Sequence, residues 1–369
     1  MDSGHRLLIL GQTPPPWHGQ AVATKMLFDH EWPGIDVETL RMAYSEEMGS
    51  VGRFELGKLK HLVSLIRETR RILKTDPRTV LLYPPASANW VPFIRDVIYL
   101  LMVRRLAMGT VFIFHAGGLA KFVRDSPLRR ILGRLAYGKA DLALEVSIEA
   151  VSPHEVFQSR HWEWCPCAIE IPEVERVSRP GERACEVLFV ASLQEGKGVL
   201  ELIKTAALLR ERGRGEEFIF RVVGPWFSEE FKKQATKFVS DQSLEGMVEF
   251  VGELTGDAKW DAYRQADLFF FPSHYESEAS PIVLMEALGV GLPIVSTRWR
   301  GIPALVGECE AVRLCEVRSP VEYADALEEL WGQRNQLGEL EEKARIYYAD
   351  RYLPEHFLGR IERALARIW

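Results

Sequence analysis

The sequence predicts an α/β protein made of two tandem doubly wound halves. Short apolar runs alternate with amphipathic helical stretches along nearly the whole chain, and the alternation restarts after a polar break. The length of 369 residues suits two or three domains rather than one. Hydrophobic residues make up 47% and charged residues 27%, the balance of an ordinary globular protein whose core holds without staples.

The elements follow in order. "RLLILG" (6–11) is continuously apolar and ends in glycine, as a buried first strand of a parallel sheet does. The turn-rich "QTPPPWHG" leads into "QAVATKMLFDH", a helix. "RTVLLYPP", "TVFIFHAGG" and "ADLALEVS" read as further strands with helices between them. Residues 173–186, polar with Pro and Gly, read as a linker between an N-terminal domain (1–172) and a C-terminal domain (187–349). In the second domain "VLFVASL", "FIFRVVGP", "VEFVGEL", "DLFFFPS" and "PIVST" read as strands, and "GVLELIKTAALLRERG" as a helix with a glycine stop. The segment 350–369 reads as an amphipathic helix expected to pack back on the N-terminal domain. No internal repeat or low-complexity tract is visible.

Composition excludes several classes. The net charge of −6 argues against general nucleic-acid binding. That charge is uneven: residues 1–173 hold 21 Lys/Arg against 19 Asp/Glu, whereas the remainder holds 25 against 33. Two basic islands, 53–78 and 119–139, each carry a net +5. The five cysteines are odd in number, and Cys165-Pro-Cys167 is too close for a C-x-x-C pair, so they read as free thiols in a reducing cytosol. "LLIL" (7–10) is too short for a signal peptide. "VIYLLMV" (97–103) runs into Arg104-Arg105, well short of the roughly 18 apolar residues of a membrane span. A cytoplasmic protein is expected.

The most informative stretch is "HYESEASPIVLMEALGVGLPIVST" (274–297), which sets Glu276, Glu278 and Glu286 around a short apolar run. Ser280 is a good N-cap and Pro281 suits a first helical turn, so a helix is expected to begin at 280–281. A helix start exposes free N–H groups and the positive end of the macrodipole, which suits a phosphate. Carboxylates beside a phosphate repel it unless they hold something else. Sugar hydroxyls, which donate strongly to carboxylates, are the obvious occupants. Solvated surface glutamates are the competing reading of the residues alone.

The run "FFFPSHYESEASPIVLMEALGVGLPIVST", followed by "RGIPALVGE", resembles the retaining glycosyltransferases of family four, which have the GT-B fold. The resemblance spans almost the whole chain. It implies two Rossmann-like domains facing a central cleft, the first binding the acceptor and the second the nucleotide-sugar donor. The family signature is two glutamates eight positions apart, matched by Glu278 and Glu286. It implies that Glu278 contacts hydroxyls of the donor sugar, that Glu286 holds the nucleotide ribose, and that backbone N–H groups of Ser280 to Ile282 bind the diphosphate. "VLFVASLQEGKGVLELI" (187–203) matches the segment that brings a lysine, Lys197, to the donor phosphates. The family usually has an arginine where Ser192 stands. In "GQTPPPWHGQAVAT" only Gly19 matches the usual glycine pair, with His18 replacing its neighbour. "FIFHAGG" places His115 where the family histidine lies near the transferred sugar, and "VVGP" places Gly224 beside the donor. Arg300-Gly301 stands where paired glycines are common.

The resemblance implies transfer of a sugar from a nucleotide-diphosphate sugar, UDP- in preference to GDP-, to a hydroxyl acceptor with retention of configuration. No D-x-D or H-E-x-x-H occurs, so neither a metal nor another cofactor is expected. Lys197 and the helix terminus are expected to neutralise the diphosphate instead. "LKHLVSLIRETRRIL" (59–73) and "LAKFVRDSPLRRILGRLAYGK" (119–139) mix apolar and basic residues in a way that suits either anionic lipid or a solvated basic face over a core stripe. With the first reading the acceptor is a lipid-linked glycan of surface polysaccharide assembly. Other readings are a catalytically silent sugar-nucleotide binder acting in a complex, a phosphorylase or an epimerase of the same fold. A dehydrogenase is disfavoured, because "GQTPPPWHG" lacks G-x-G-x-x-G.

Overall fold

The computed structural model describes residues 4–15, 19–42, 56–173 and 183–369. Pro16, Trp17 and His18, the expected linker residues 174–182, and the side chains of Lys58 and Leu59 lie outside the described residues. The chain divides into two compact units, Met1–Ile169 with Pro354–Trp369, and Glu170–Leu353.

The first unit is a six-stranded parallel sheet in the order β2-β1-β3-β4-β5-β6. Its strands are β1 (His5–Gly11), β2 (Ile35–Arg41), β3 (Thr79–Tyr83), β4 (Gly109–Phe114), β5 (Leu142–Glu145) and β6 (His161–Trp164). The helices between them are α1 (Gly19–Asp29), α2 (Leu56–Thr75), α3 (Trp90–Val103), α4 (Leu119–Arg124), α5 (Pro127–Tyr137) and α6 (Pro153–Phe157). Covered on both faces, β3 and β5 are buried at every residue, which is why they read as unbroken apolar runs. The outer strand β2 instead alternates exposed and half-buried residues. Strand order reverses between β1 and β3, so the loop that leads to Gly19 leaves the sheet at its switch point.

The second unit repeats the plan in the order β12-β11-β10-β7-β8-β9, again all parallel. Its strands are β7 (Cys185–Val190), β8 (Phe218–Val223), β9 (Val248–Gly252), β10 (Leu268–Phe271), β11 (Ile294–Thr297) and β12 (Val312–Cys315). Its helices are α7 (Val199–Glu211), α8 (Glu229–Asp241), α9 (Gly256–Gln265), α10 (Ile282–Val290), α11 (Ile302–Val306), α12 (Pro320–Gly332) and α13 (Leu337–Ala349). Cys185 and Glu186, placed in the linker on sequence, are the first two residues of β7, where Asp267 accepts from the Glu186 N–H at 2.8 Å. Here the order reverses between β7 and β10.

The last helix, α14 (Pro354–Leu365), belongs to the first unit. Its Glu362 carboxylate meets His30 Nε2 at 2.7 Å, and Phe357 and Ile361 are fully buried. All five cysteines are free thiols and buried. Burial pushes the Cys165 thiol well above its ordinary range and Cys315 up to about 12, so neither is a reactive thiolate at neutral pH.

One polar knot organises the first unit. Asp96 on α3 is fully buried beneath the loop that leaves β3. Its Oδ1 accepts from Tyr83 Oη at 2.8 Å and from Arg95 Nη2 at 2.8 Å, and its Oδ2 accepts from Ala86 N at 2.7 Å and Tyr137 Oη at 3.0 Å. One carboxylate thus ties the end of β3, its loop, α3 and α5 together. Burial, and then the Asp96 charge, push the Tyr137 phenol well above its ordinary value, so it serves only as a donor here. Replacing Asp96 with Ala strands these buried donors and should destabilise the first unit by about 3–5 kcal/mol. Denaturant unfolding measures this; a change below about 0.5 kcal/mol would show that the knot is not structural.

Candidate donor-binding site

In an open parallel sheet, a ligand sits beyond the carboxyl ends of the strands where the order reverses. In the second unit those strands are β7 and β10, and the loops leaving them carry Lys197 and Glu278. The structure brings the two side chains together. Lys197 Nζ donates to Glu278 Oε2 at 2.8 Å, and Ser273 Oγ donates to the same oxygen at 2.6 Å. Glu278 is only 6% exposed, so it is not a solvated surface carboxylate. Lys197 also packs its ammonium 4.6 Å from the centre of the Tyr275 ring, a cation–π contact that fixes its direction.

Glycines let these loops meet. Gly198, which starts α7, has φ +90°, and a Cβ there would fall 2.2 Å from the Pro272 carbonyl oxygen. Gly224, after β8, has φ +144°, and a Cβ would stand 1.7 Å from Ala191 O. Only glycine fits either place, so three loops close on one another through their backbones. The His274 N–H donates to Gly196 O at 2.8 Å and completes the junction. Burial, and then Arg318, lower the His274 pKa, which keeps this neighbour of the site neutral at pH 7.

The helix after β10 begins later than the sequence suggested. α10 opens at Ile282 with Pro281 in the capping position, and Ser280 is not the cap. Among the described residues the buried Ser280 hydroxyl has no hydrogen-bond partner. Pro281 has no N–H to offer an anion, and the first turn closes from Leu284 N to Pro281 O at 3.1 Å. The N–H groups of Ile282 and Val283 are the ones this helix start leaves outside its own ladder. Glu286 therefore lies about one turn into α10.

Glu286 is 3% exposed at its side chain and held by residues the sequence did not single out. Tyr263 Oη donates to Oε2 at 2.7 Å, and Lys259 Nζ pairs with Oε1. Lys259 and Tyr263 stand four residues apart on α9, on the face that meets α10. Burial first, then the Glu286 charge, push the Tyr263 phenol well above its ordinary value, so it donates rather than ionises. A helical i, i+4 pair was visible in the sequence. What it meets, more than twenty residues away, was not.

Glu276 is the exception among the three glutamates. It is 77% exposed and pairs with Arg300 at the surface, an interaction of about 0–1 kcal/mol. Arg300 keeps φ +49° where the resemblance leads one to expect glycine, and its guanidinium lies over the Trp299 ring. The indole N–H of Trp299 donates to Tyr275 O at 2.7 Å, bracing the loop that holds Glu278. His115 and Gly19 are in the first unit. His115 follows β4, with Nδ1 at 3.9 Å from Cys167 Sγ, and Gly19 opens α1.

Comparison with known proteins bears on the fold and on the family of the second unit. Residues 171–347 match the family model for glycosyl transferases group 1. Over 125 residues the chain is 33% identical to the putative colanic acid biosynthesis glycosyltransferase WcaL of Escherichia coli (strain K12), which covers 33% of this chain and 30% of that protein. Over 124 residues it is 32% identical to the amylovoran biosynthesis glycosyltransferase AmsK of Erwinia amylovora, covering 32% and 29%. The matches thus span about a third of these relatives' length. Among solved structures, Anabaena Alr3699/HepE in complex with UDP and glucose superposes with a TM-score of 0.68 at 15% identity, over 98% of this chain and 100% of that one. That likeness establishes the fold, two Rossmann-like units of the GT-B type. In sequence, residues 171–347 of this chain are similar to the glycosyl transferases of group 1.

Proposed function

We propose that this protein is a retaining glycosyltransferase that moves a sugar from a nucleotide-diphosphate sugar, a UDP-sugar in preference to a GDP-sugar, to an acceptor hydroxyl. The observation that carries this reading is the cluster of half-buried Lys197 with buried Glu278 and Ser273 at the carboxyl ends of the two switch strands. A cation and a carboxylate held at one point suit a ligand that joins a diphosphate to a polyol. UDP in the complex of the HepE neighbour supports the choice of base.

Lys197 neutralises Glu278. An arriving diphosphate competes for Lys197, and the released carboxylate then accepts from donor-sugar hydroxyls. The N–H groups of Ile282 and Val283 share the diphosphate charge, and Glu286 takes the ribose hydroxyls with the lone pairs that Lys259 and Tyr263 leave open. The bond from the anomeric carbon to the phosphate oxygen breaks, and the acceptor oxygen bonds that carbon on the same face. The acceptor proton passes to the departing phosphate oxygen. Lys197 and the helix terminus stabilise the negative charge that develops there, so the reaction is proposed to need no metal. His115 is assigned to the transferred sugar on the resemblance alone.

The names of WcaL and AmsK refer to colanic acid and amylovoran biosynthesis. On that likeness we place this protein in surface polysaccharide assembly with a lipid-linked glycan acceptor, working at the cytoplasmic side of a membrane. Among the described residues no helix is long and apolar enough to cross one.

Thermal stabilisation by a panel of nucleotides and nucleotide sugars, with and without EDTA, tests the donor site. UDP and its sugars should raise the melting temperature equally in both conditions. Glu286→Ala should abolish the shift, with Glu286→Gln as the variant that keeps an acceptor for Tyr263. No shift with any nucleotide would overturn the donor-site reading, and loss of the shift in EDTA would overturn metal independence. Release of free UDP from a UDP-sugar then separates an enzyme from a silent binder. Lys197→Met should slow that release by about 10²–10³-fold, the effect of removing one preorganised charge from a leaving group. An unchanged rate would remove Lys197 from the chemistry.

A further inference from the structure

The helix layer of the first unit leaves uncovered an apolar surface that the donor-site reading does not use. α3 and α5 lie side by side. At one end the Arg129 guanidinium sits 5.7 Å from the Trp90 ring and 4.0 Å from the Phe122 ring; at the other, Arg104 Nη1 donates to Ala136 O at 3.0 Å. The two helices therefore run parallel. On α3, Ile98, Leu101 and Met102 share one helical face, and all three are exposed. On α5, Leu128, Ile131 and Leu135 follow the same spacing and are each more than half exposed. Single exposed apolar residues are ordinary, but two adjacent stripes are not.

The rim of this surface is predominantly basic. Residues 90–139 contain nine Lys/Arg and two Asp/Glu, and one of the acids is the buried Asp96. Arg105, Arg130 and Arg134 are exposed beside the apolar stripes. The basic helix α2 differs: its Leu62 and Leu73 are buried in the core, and Ile66 packs against that core. Its apolar stripe is core-facing. Among the described residues, segment 59–73 exposes one large apolar side chain, Val63, whereas segment 119–139 exposes three, Leu128, Ile131 and Leu135, and α3 joins them.

We propose that the α3–α5 face docks this protein on an anionic lipid bilayer. The six aliphatic side chains enter the boundary between headgroups and acyl chains, and Arg105, Arg130 and Arg134 meet the lipid phosphates. Charge decides against a second copy of the chain as the occupant. A two-fold contact sets a patch against itself, which would gather Arg105, Arg130, Arg134 and their copies around a single exposed acid per chain, Asp125. An anionic bilayer supplies the missing sign across the whole face. The proposal specifies the surface through which an enzyme with a lipid-linked acceptor would reach it, yet it stands on α3 and α5 and not on the nucleotide site.

Flotation of the full chain with vesicles of phosphatidylcholine alone, and of an equal mixture with phosphatidylglycerol, tests it. Binding to the mixed vesicles, weakened by salt, and little binding to phosphatidylcholine are expected. Arg130→Gln and Arg134→Gln should each weaken partition about fivefold. Ile131→Glu, and independently Ile98→Glu on the other helix, should abolish it without changing the melting temperature or the nucleotide-induced shift. Wild-type protein that fails to float would overturn the proposal, as would flotation that both glutamate variants retain. A dimer that Ile131→Glu splits, without flotation, would assign the face to self-association instead. Because nucleotide binding is read separately, failure here leaves the donor site standing, and the reverse holds too.

Discussion

A buried carboxylate needs a partner, and in the second unit this requirement positions everything else. Glu278 without a counter-charge would cost several kcal/mol at its depth. Lys197 and Ser273 supply the compensation, and to do so the loops after β7 and β10 must meet. Their meeting demands glycine at 198, where a side chain would strike the Pro272 carbonyl, and the loop after β8 packs beside them only with glycine at 224, where one would strike that of Ala191. The order of strands, the glycines and the ion pair are therefore one constraint expressed three ways. A ligand that competes for Lys197 enters a site whose backbone is already in place.

The same economy appears one turn into α10. Glu286 is held by Tyr263 and Lys259 before any ligand arrives, so its direction is set by the protein. Preorganisation of this kind favours recognition because little side-chain freedom remains to be lost on binding. Lys259 also adds a cation to a unit in which Ser192 replaces the arginine of the resemblance. In the first unit, Asp96 plays a comparable part by pinning the β3 loop and α5 to α3. That fixes α3 and α5 as neighbours, and so joins their exposed apolar stripes into one surface.

Much of this was legible in the sequence, for physical reasons. Central strands covered on both faces must be apolar throughout, so "LLIL", "TVLLY" and "LFFF" announced themselves. The outer strands β2, β6 and β12 did not, because "IDVETLR", "HWEW" and "VRLC" are partly exposed and lack a continuous apolar run. The eight-residue spacing of Glu278 and Glu286 was readable, but not their partners Tyr263 and Lys259, which chain folding alone brings near. Ser280 looked like an N-cap by residue type; the proline after it instead takes the capping position, and the helix starts at Ile282. Amphipathic pattern likewise could not separate α2, whose stripe faces the core, from α5, whose stripe faces outward, since both show the same spacing.

Calorimetric titration with UDP and UMP, in wild-type protein and in Lys197→Met, tests the central claim most directly. If Lys197 leaves Glu278 to hold the second phosphate, the wild type binds UDP more tightly than UMP, and the variant loses most of that difference while its affinity for UMP is unchanged. Equal affinity for the two nucleotides in the wild type, or a preference for UDP that is undiminished in Lys197→Met, would contradict the account.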